Sequence, residues 1–267
     1  MEKTKKTTKA KIKKYYEFLT TKVHLMLEQK KFRHDDVLLK YILKKKESDT
    51  LVIVLSSCTR KGIKARYNYM RTLKDLNVNQ LFILDDFGED KRGSYYIGHD
   101  FKFDEDAAVK ALVEKIADEI HAKTLIFCGS SKGGWAAVNF GLQFENSYVV
   151  AGGPQYFLAD YLRDSGNLSS LKHIVGEETK EKLEKVNAYL GDRVKNDPFI
   201  ATQHIYLHYS EKDHTYKEHI QYMLNDMKAL GYDIKEDVEQ YEDHSDISYY
   251  FPGFLVNSIN DILRNKK

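Results

Sequence analysis

The sequence predicts an α/β domain with a mainly parallel central sheet and helices on both faces. Short segments recur along the chain in which nearly every residue is apolar, such as residues 51–55 and 147–151. Such runs are typical of strands that are buried on both sides, as in a parallel sheet. Segments with helical periodicity lie between them, and this alternation is the pattern of a doubly wound fold. A chain of 267 residues suits one large domain of this kind.

The predicted elements follow the chain in order. A first helix is expected over residues 11–21, and residues 23–32 and 37–44 are expected to form an opening pair of strands. The remaining strands are predicted at residues 51–55, 80–85, 124–128, 147–151, 204–208 and, with a weaker pattern, 238–241. Helices are predicted at residues 67–76, 104–121, 134–144 and 216–230. In the second of these, Leu112, Ile116 and Ile120 recur on one face, as expected of a helix that packs on a sheet.

One long segment interrupts this order. Residues 154–199 contain no good strand and show a charged helical pattern instead, for example at residues 177–187. An insertion of this length is too long for a plain loop, and we expect a helical cap over the mouth of the sheet that shapes the substrate site. The domain prediction is therefore a basic tail over residues 1–22 and a single domain over residues 23–267 that carries this cap.

The charge balance excludes some classes of function. Lys and Arg total 42 against 40 Asp and Glu, so the net charge of +2 provides no general case for nucleic-acid binding. Residues 1–14 are strongly basic, and a solvated tail is the simplest interpretation, with contact to a membrane or polyanion as the alternative. The sequence has neither an apolar stretch of about 18 residues, as a membrane span requires, nor the pattern of a signal peptide. We therefore expect a cytoplasmic protein.

The cysteine and histidine positions give little sign of crosslinks or metal. Cys58 and Cys128 lie at or near predicted strand ends, which favours packed, reduced thiols over a disulfide framework. His204 and His208 share one face of a predicted strand but lie about two residue pairs apart, unlike the paired ligands of a zinc-binding helix. We expect structural polar residues there, no bound metal and no permanent cofactor.

The strongest functional signal is the segment Gly129-Ser130-Ser131-Lys132-Gly133, which lies between a predicted strand and a predicted helix. The pattern G-x-S-x-G in this context is typical of a nucleophile elbow, where small residues on both sides permit a sharp turn. The serine hydroxyl then stands above the sheet. Ser131 has glycine two positions away on each side, whereas Ser130 does not, so Ser131 is the predicted nucleophile. A phosphate-binding loop is disfavoured, because Lys132 precedes the glycines.

A serine nucleophile needs a base and an acid that orients the base, and in a fold with this elbow the chain order is serine, acid, histidine. The acid is expected after the next-to-last strand, where Asp213 is the first candidate and Glu211 the alternative. The base is expected after the last strand, where His244 lies; His214 is a competitor but comes too early in the chain. The sequence thus predicts an α/β-hydrolase-like fold with a triad of Ser131, Asp213 and His244.

An oxyanion hole in this fold pairs the N–H after the nucleophile with an N–H from the loop after an earlier strand. The first donor is predicted to be the backbone of Lys132. The second is predicted in residues 56–60, with the backbone of Ser57 as the choice and Cys58 close behind. Both groups are main-chain atoms, so side-chain deletions are expected to affect them little.

Several blocks of the sequence resemble the capsule-polysaccharide O-acetyltransferases of α/β-hydrolase fold and related proteins of bacterial capsule biosynthesis. The resemblance extends from about residue 51 to the C terminus, in the same order and with similar gaps, and Lys212-Asp213 and His244 complete it. The blocks are Arg66-Tyr-Asn-Tyr-Met70, Asp85-Asp-Phe-Gly-Glu-Asp-Lys-Arg-Gly-Ser-Tyr-Tyr-Ile97, Gly129-Ser-Ser-Lys-Gly-Gly134 and Gly153-Pro-Gln-Tyr-Phe-Leu-Ala-Asp-Tyr161. The resemblance implies acetyl-CoA as the donor, a sugar hydroxyl of a polysaccharide as the acceptor, and Ser131, Asp213 and His244 as the triad.

Four further residues are candidates for binding the donor or the acceptor. Arg66, Arg92, Tyr95 and Tyr96 lie in segments that follow strand ends, where ligands collect in open α/β sheets. The arginines could bind phosphates of CoA or of an anionic glycan through paired hydrogen bonds. The alternative is that these side chains lock the loop over the elbow.

Three functions remain open from the sequence. The first is an O-acetyltransferase that passes an acetyl group from acetyl-CoA through the serine to a sugar hydroxyl. The second is an esterase of the same fold, in which water replaces the sugar. The third is a non-catalytic partner in polysaccharide biosynthesis or export, which the intact set of Ser131, Asp213 and His244 disfavours. A homo-oligomer is compatible with all three.

Overall fold

The computed structural model describes residues 27–266. Its strands are β1 (Lys30–His34), β2 (Val37–Lys44), β3 (Thr50–Leu55), β4 (Asn79–Leu84), β5 (Thr124–Ser130), β6 (Ser147–Gly152), β7 (His204–Ser210) and β8 (Asp233–Glu239). They form one eight-stranded sheet in the order β1-β2-β4-β3-β5-β6-β7-β8. From β4 to β8 the neighbouring strands run parallel, whereas β2 is antiparallel to both β1 and β4. The prediction of a mainly parallel sheet is therefore confirmed.

Helices cover both faces of this sheet. They are α1 (Met70–Leu73), α2 (Asp104–Glu119), α3 (Lys132–Gly141), α4 (Leu158–Asp164), α5 (Leu168–Val175), α6 (Lys180–Lys195), α7 (Gln221–Leu230) and α8 (Ile247–Asn265). On one face, Leu112 of α2 and Phe140 of α3 belong to the same buried cluster as Ile53 of β3. On the other face, Phe251 of α8 belongs to a second cluster, together with Val52.

Strand β3 explains why the central runs of the sequence are apolar throughout. Ile53 and Leu55 belong to the cluster under α2 and α3, while Val52 and Val54 belong to the cluster under α8. All four side chains are buried. Because successive side chains of a strand point to opposite faces, a strand covered on both sides needs apolar residues at every position.

The predicted elements differ from the structure mainly near the C terminus. The last strand is Asp233–Glu239 rather than residues 238–241. It pairs with β7 at the edge of the sheet and exposes charged side chains such as Lys235 and Glu236, so it has no apolar run. The predicted helix at residues 67–76 is also shorter, since only Met70–Leu73 is helical.

The long helix α8 is missing from the predicted elements. Its buried residues Phe251, Leu255, Ile259 and Ile262 recur every three to four positions, which is the pattern of a helix that packs one face on a sheet. The signal was therefore present in the sequence, after the segment that carries His244. This helix packs against β5 and β6, on the face opposite α3.

The N-terminal predictions lie partly outside the described residues. The helix expected at residues 11–21, the tail at residues 1–22 and the start of the first expected strand all belong to residues 1–26. Within the described part, β1 begins at Lys30, and residues 27–28 are helical rather than extended. The insertion, residues 154–199, contains α4, α5 and α6 and no strand.

Candidate active site

Ser131 makes the turn between β5 and α3. Its φ is 52° and its ψ is −119°, a combination that residues other than glycine rarely adopt. A Cβ atom on Gly129 would lie 2.5 Å from the carbonyl oxygen of Gly133. A Cβ atom on Gly133 would lie 2.4 Å from the carbonyl oxygen of Leu55. The two glycines of the motif are therefore required by the close approach of the backbone, as expected for an elbow.

The structure brings the three predicted triad residues into one hydrogen-bonded chain. Asp213 follows β7 and His244 follows β8, and parallel strands place both loops at the edge where β5 ends. Nε2 of His244 lies 3.0 Å from Oγ of Ser131, and Nδ1 of His244 lies 2.7 Å from Oδ2 of Asp213. This arrangement can take a proton from the serine hydroxyl and stabilise the resulting imidazolium.

Asp213 is buried, and its hydrogen bonds determine its charge. Burial raises the pKa of its carboxyl, but hydrogen bonds from His244 and from Thr215, together with the charge of His244, outweigh burial and hold this pKa below its usual range. The N–H of Thr215 donates to Oδ1 at 3.0 Å. Asp213 is thus ionised at neutral pH and fixes the proton of His244 on Nδ1, which leaves Nε2 as the acceptor that faces Ser131.

The alternative acid and base, Glu211 and His214, are not part of this series of hydrogen-bonded side chains. His214 has a side chain that is 55% exposed, and its Nδ1 lies 2.9 Å from Glu218. Its Nε2 is 3.8 Å from Oδ1 of Asp213, too far for a hydrogen bond. Glu211 is exposed and makes no side-chain hydrogen bond within residues 27–266. The geometry therefore favours Asp213 and His244 over both alternatives.

The two predicted oxyanion donors differ in their availability. The N–H of Lys132 lies in the first turn of α3, where the helix itself provides no acceptor. The N–H of Ser57, in contrast, donates to Oδ1 of Asn68 at 2.9 Å. The N–H of Cys58 has no acceptor in the described part of the chain. Cys58, the second choice from the sequence, is thus better suited as the partner of Lys132 than Ser57 is.

The side chain of Lys132 forms an ion pair that the sequence did not suggest. Its Nζ lies 2.8 Å from Oδ2 of Asp85 and 3.0 Å from the carbonyl oxygen of Arg92, and both charged side chains are fully buried. The backbone N–H of Ser94 donates to both oxygens of Asp85, at 2.9 and 3.0 Å. The start of α3 is thereby tied to the segment that follows β4.

This series of buried polar contacts continues from Ser94 to the insertion. The hydroxyl of Ser94 donates to Oε2 of Glu105, and Oε1 of Glu105 lies 2.8 Å from Nε2 of His173 on α5. Burial raises the pKa of the Glu105 carboxyl, and the hydrogen bond to His173 opposes that increase only in part. Ser170, on the same helix, donates to the carbonyl oxygen of Gly93 at 2.6 Å. The insertion is therefore linked through buried polar groups to the helix that starts after Ser131.

Three of the four predicted ligand-binding residues have structural contacts instead. The guanidinium of Arg92 donates twice to the carbonyl oxygen of Thr59, at 2.8 and 2.6 Å. Tyr96 is buried and donates to the carbonyl oxygen of Ile83 at 2.8 Å, and Tyr95 is buried with its ring against Trp135. These contacts favour the alternative interpretation, in which the side chains lock the loop. Arg66 differs, because its side chain is exposed.

Two residues near Ser131 were not among the predicted site residues. Nε2 of Gln155 lies 3.4 Å from Oγ of Ser131, and the ring centroid of Tyr161 lies 6.5 Å from that of His244. Burial raises the pKa of Tyr161 to about 12. Both residues belong to the insertion and to the block 153–161 that carries the family resemblance. That block was the one signal that could have identified them.

A second histidine lies close to the triad. His219 is 3% exposed and lies in a turn of π-helix, Tyr216–Ile220. Its Nδ1 accepts the backbone N–H of Phe157 at 3.2 Å, and its ring centroid is 5.7 Å from that of Tyr161. Burial lowers the pKa of His219 to about 4, so its imidazole is neutral at physiological pH. π-Helical turns are rare and are frequently found at functional sites.

Open cavities lie on the surface of the described structure. An open cavity of about 580 Å³ is bordered by Asp213, His214 and Lys217. A cavity of about 720 Å³ lies between α2, α3 and α6, and none of the triad residues borders it. Residues 27–266 contain no group of three or more His, Cys, Asp or Glu side chains arranged to hold a metal ion. None of the described helices is long and apolar enough to span a membrane.

The structure has an α/β-hydrolase fold, as its similarity to solved structures shows. The capsule O-acetyltransferase of Neisseria meningitidis serogroup A, solved as a histidine-to-alanine variant in complex with CoA, has a TM-score of 0.73 and is 21% identical. The match covers 87% of this chain and 95% of that one. The fold predicted from the sequence is confirmed, and so is the structural similarity to a capsule O-acetyltransferase.

Two further structures illustrate the range of proteins with this fold. The glycosylation associate protein complex from Streptococcus agalactiae has a TM-score of 0.73 and 18% identity, over 90% of this chain and 47% of that one. The acylaminoacyl peptidase of Pyrococcus horikoshii has a TM-score of 0.59 and 14% identity, over 85% and 39% of the two chains. The sequence matches no protein-family model and no curated protein.

Proposed function

We propose that this protein is an O-acetyltransferase that moves an acetyl group from acetyl-CoA to a sugar hydroxyl of a bacterial capsular or surface polysaccharide. The observation that carries the proposal is the hydrogen-bonded chain from Ser131 through His244 to Asp213, which starts on a strained elbow. The similarity to a capsule O-acetyltransferase that has been solved with CoA supports the choice of donor and acceptor. Acetyl-CoA is a cytoplasmic donor, so we also propose that the protein acts in the cytoplasm.

The first half-reaction forms an acetyl-enzyme. Nε2 of His244 removes the hydroxyl proton of Ser131 as Oγ attacks the thioester carbonyl carbon of acetyl-CoA. The N–H groups of Lys132 and Cys58 stabilise the negative oxygen of the tetrahedral intermediate. The carbon–sulfur bond then breaks, and His244 returns the proton to the departing thiolate, so CoA leaves as a thiol. Asp213 stabilises the imidazolium while it exists.

The second half-reaction transfers the acetyl group to the acceptor. A sugar hydroxyl gives its proton to Nε2 of His244 and attacks the carbonyl carbon of the acetyl-serine. When the intermediate collapses, the bond to Oγ of Ser131 breaks and the serine regains the proton from His244. The products are an O-acetylated sugar and the free enzyme.

The insertion has a role in this proposal as a cap over the acetyl-enzyme. Gln155 and Tyr161 belong to it: Gln155 contacts Ser131, and the ring of Tyr161 lies 6.5 Å from that of His244 between centroids, so both reduce the access of water. The esterase is the alternative, because the triad chemistry is the same when water replaces the sugar. The similarity to the glycosylation associate protein complex supports the third function, a partner protein without catalysis, but the complete triad disfavours it.

A two-part assay tests the proposal. Incubation of the protein with acetyl-CoA should give slow release of CoA and an increase of one acetyl group in protein mass, located on Ser131. Addition of a capsule-type oligosaccharide that serves as acceptor should accelerate CoA release and transfer acetyl groups to the glycan. Rapid hydrolysis of simple esters without any effect of a broad glycan panel would establish the esterase instead. Absence of any acetyl-enzyme or turnover would support the non-catalytic partner.

A further inference from the structure

The loop between β3 and α1, residues 56–69, carries a concentrated positive charge. It contains four basic residues and no Asp or Glu, although the whole chain has a net charge of only +2. The basic residues of this loop are Arg60, Lys61, Lys64 and Arg66, and the exposed Lys91 in the next loop adds to them. All five side chains are exposed, and none forms an ion pair or side-chain hydrogen bond within residues 27–266. A group of unpaired cations attracts a ligand with several negative charges.

The loop is held firmly at its base. The buried Arg92 donates to the carbonyl oxygen of Thr59 at 2.8 and 2.6 Å, and the N–H of Ala65 donates to the carbonyl oxygen of Lys91 at 2.7 Å. The contact between Ser57 and Asn68, described above, closes the two ends of the loop. The main chain is thus fixed while the charged groups remain free, which lowers the entropy lost when an anion binds.

The position of the loop connects it with the candidate active site. Oγ of Ser57 lies 3.1 Å from Oγ of Ser130, the residue that precedes the proposed nucleophile. Tyr69, at the other end of the loop, also contacts Oγ of Ser130, at 2.5 Å. From this shared base the chain extends outward to the cations. The loop therefore leads from Ser131 to the basic group.

We propose that residues 60–66, together with Lys91, bind the phosphate groups of CoA. This inference rests on the proposed function, because it assigns the donor of that reaction a second contact region. The arm of CoA between its sulfur and its phosphates is about as long as four extended residues, roughly 14 Å. It can lie along the loop with its thioester at Ser131 and its phosphates at the loop tip. Arginine and lysine side chains are the usual partners of phosphate groups.

The experiment compares two charge-reversal variants. Lys61→Glu/Lys64→Glu changes the tip of the loop and leaves its anchors intact. Lys46→Glu/Lys123→Glu is the matched control, since both lysines are exposed, have no ion pair within residues 27–266 and lie at the opposite ends of the strands, before β3 and β5. Calorimetric titration with CoA should show a loss of about tenfold or more in affinity for the loop variant and none for the control. Added salt should weaken CoA binding to the wild type more steeply than to the loop variant.

A donor without phosphates separates the loop from the chemistry. With S-acetyl-pantetheine, the loop variant should give the same kcat/KM as the wild type. Equal CoA affinity of the wild type and the loop variant would overturn the inference and leave the proposed function intact. A parallel loss of kcat/KM with S-acetyl-pantetheine, or a loss confined to binding of an anionic oligosaccharide, would overturn it as well. A wild type that neither binds CoA nor releases it from acetyl-CoA would instead contradict the proposed function.

Discussion

At the scale of single residues, two histidines of the candidate site, the half-buried His244 and the buried His219, have opposite environments. His244 has a carboxylate partner in Asp213, whose Oδ2 lies 2.7 Å from its Nδ1. His219 accepts a backbone N–H from Phe157 and has no carboxylate partner in the described structure. The proposed mechanism needs a base that holds a proton beside a carboxylate, and of these two histidines only His244 has such a partner in the described structure. His219 is suited to contribute a neutral N–H at the border of the site.

We expect His244→Ala and Asp213→Asn to fold normally and to lose most of their activity. The loss for His244→Ala should be several powers of ten, because an unassisted serine hydroxyl is a poor nucleophile. The loss for Asp213→Asn should be somewhat smaller, because the acid orients the ring and stabilises its charge. Rates of CoA release from acetyl-CoA provide the measurement, with His214→Ala as the matched histidine control. An inactive His214→Ala together with normal turnover by His244→Ala would refute the assignment.

The burial of His219 predicts a pH dependence of stability. The folded protein binds a proton there at a pKa of about 4, whereas the unfolded chain binds it at the ordinary value of 6.5. The unfolded state thus holds more protons between these values, so the free energy of unfolding decreases as the pH falls through this range. The free energy of unfolding should therefore decrease less between about pH 7 and about pH 4.5 in His219→Gln than in the wild type, by roughly 2–3 kcal/mol.

Urea unfolding at a series of pH values tests this expectation. The control is His121→Asn, because His121 is exposed in the folded protein and asparagine tolerates its left-handed φ of 53°. The control should retain the full pH dependence of the wild type. If His219→Gln also retained it, protonation of His219 would not be linked to folding.

At the scale of elements, the first turn of α3 combines a strained residue with a buried ion pair. The strain at Ser131 is a local property of the backbone, and it can be measured by replacing the side chain. Ser131→Gly should have a free energy of unfolding about 1–3 kcal/mol higher than Ser131→Ala, since glycine adopts this conformation without a steric penalty. Chemical denaturation of the two inactive variants provides the comparison.

A glycine-to-alanine substitution inside a helix, where alanine is the better residue, serves as the control. Gly253 lies in α8, and a Cβ there would meet no atom of the described residues within 4 Å, so Gly253→Ala should raise the free energy of unfolding by roughly 0.5–1 kcal/mol. Alanine should thus stabilise α8, whereas glycine stabilises the elbow. Equal stabilities of Ser131→Gly and Ser131→Ala would show that the elbow stores no strain.

The ion pair between Lys132 and Asp85 should make the start of α3 sensitive to the loss of either charge. Lys132→Met leaves Asp85 buried without its cation, and we expect a loss of about 3–5 kcal/mol in the free energy of unfolding. The double variant Lys132→Met/Asp85→Asn should lose less than the sum of the two single changes. Lys180→Met is the control, because its pair with Glu184 is exposed and should contribute less than about 1 kcal/mol. Additive losses in the double variant would contradict this coupling.

The elements also show what a sequence can predict about such a protein. Central strands such as β3 were found because burial on both faces demands continuous apolar runs. The position predicted for the edge strand β8 was wrong, because this strand exposes charged residues and its apolar pattern is correspondingly weak. Chain order alone led to Asp213 and His244, since the fold brings the ends of β7 and β8 to the elbow.

The remaining contacts of the candidate site depend on packing that no local pattern encodes. Tyr161 and His219 come from the insertion and from the turn before α7, and their position beside His244 follows from the way these segments pack together. Arg92 and Tyr96 illustrate the opposite case. Their position after a strand end suggested that they bind a ligand. A charged or aromatic side chain at such a place can instead be buried and hold the main chain in position through hydrogen bonds.

At the scale of the whole molecule, the insertion and the sheet are packed as one unit. The ring of Tyr189 on α6 stacks on Trp135 of α3 at 5.9 Å between centroids. The hydroxyl of Tyr232, just before β8, donates to Asp197 and to the carbonyl oxygen of Val194 at 2.9 Å in both cases. Contacts from two separate parts of the core therefore hold α6 in place.

We expect the insertion and the sheet to unfold together. Trp135 is the single tryptophan of the chain and is fully buried at the contact with Tyr189, so its fluorescence reports on this junction. Denaturation curves from fluorescence and from far-ultraviolet circular dichroism should coincide. Tyr189→Ala should lower both midpoints, whereas the exposed Tyr249→Ala should change neither. A fluorescence transition at lower denaturant than the circular dichroism transition would mean that the insertion detaches first.

The strained conformation of Ser131 also bears on the evolution of this protein. Natural proteins are stable by a narrow margin, and mutations that relieve strain are among the easiest ways to widen it. A chain that served only as a scaffold could exchange Ser131 for glycine and become more stable without losing a binding surface. A serine at φ 52° is therefore what selection for the hydroxyl itself would produce, at the expense of stability.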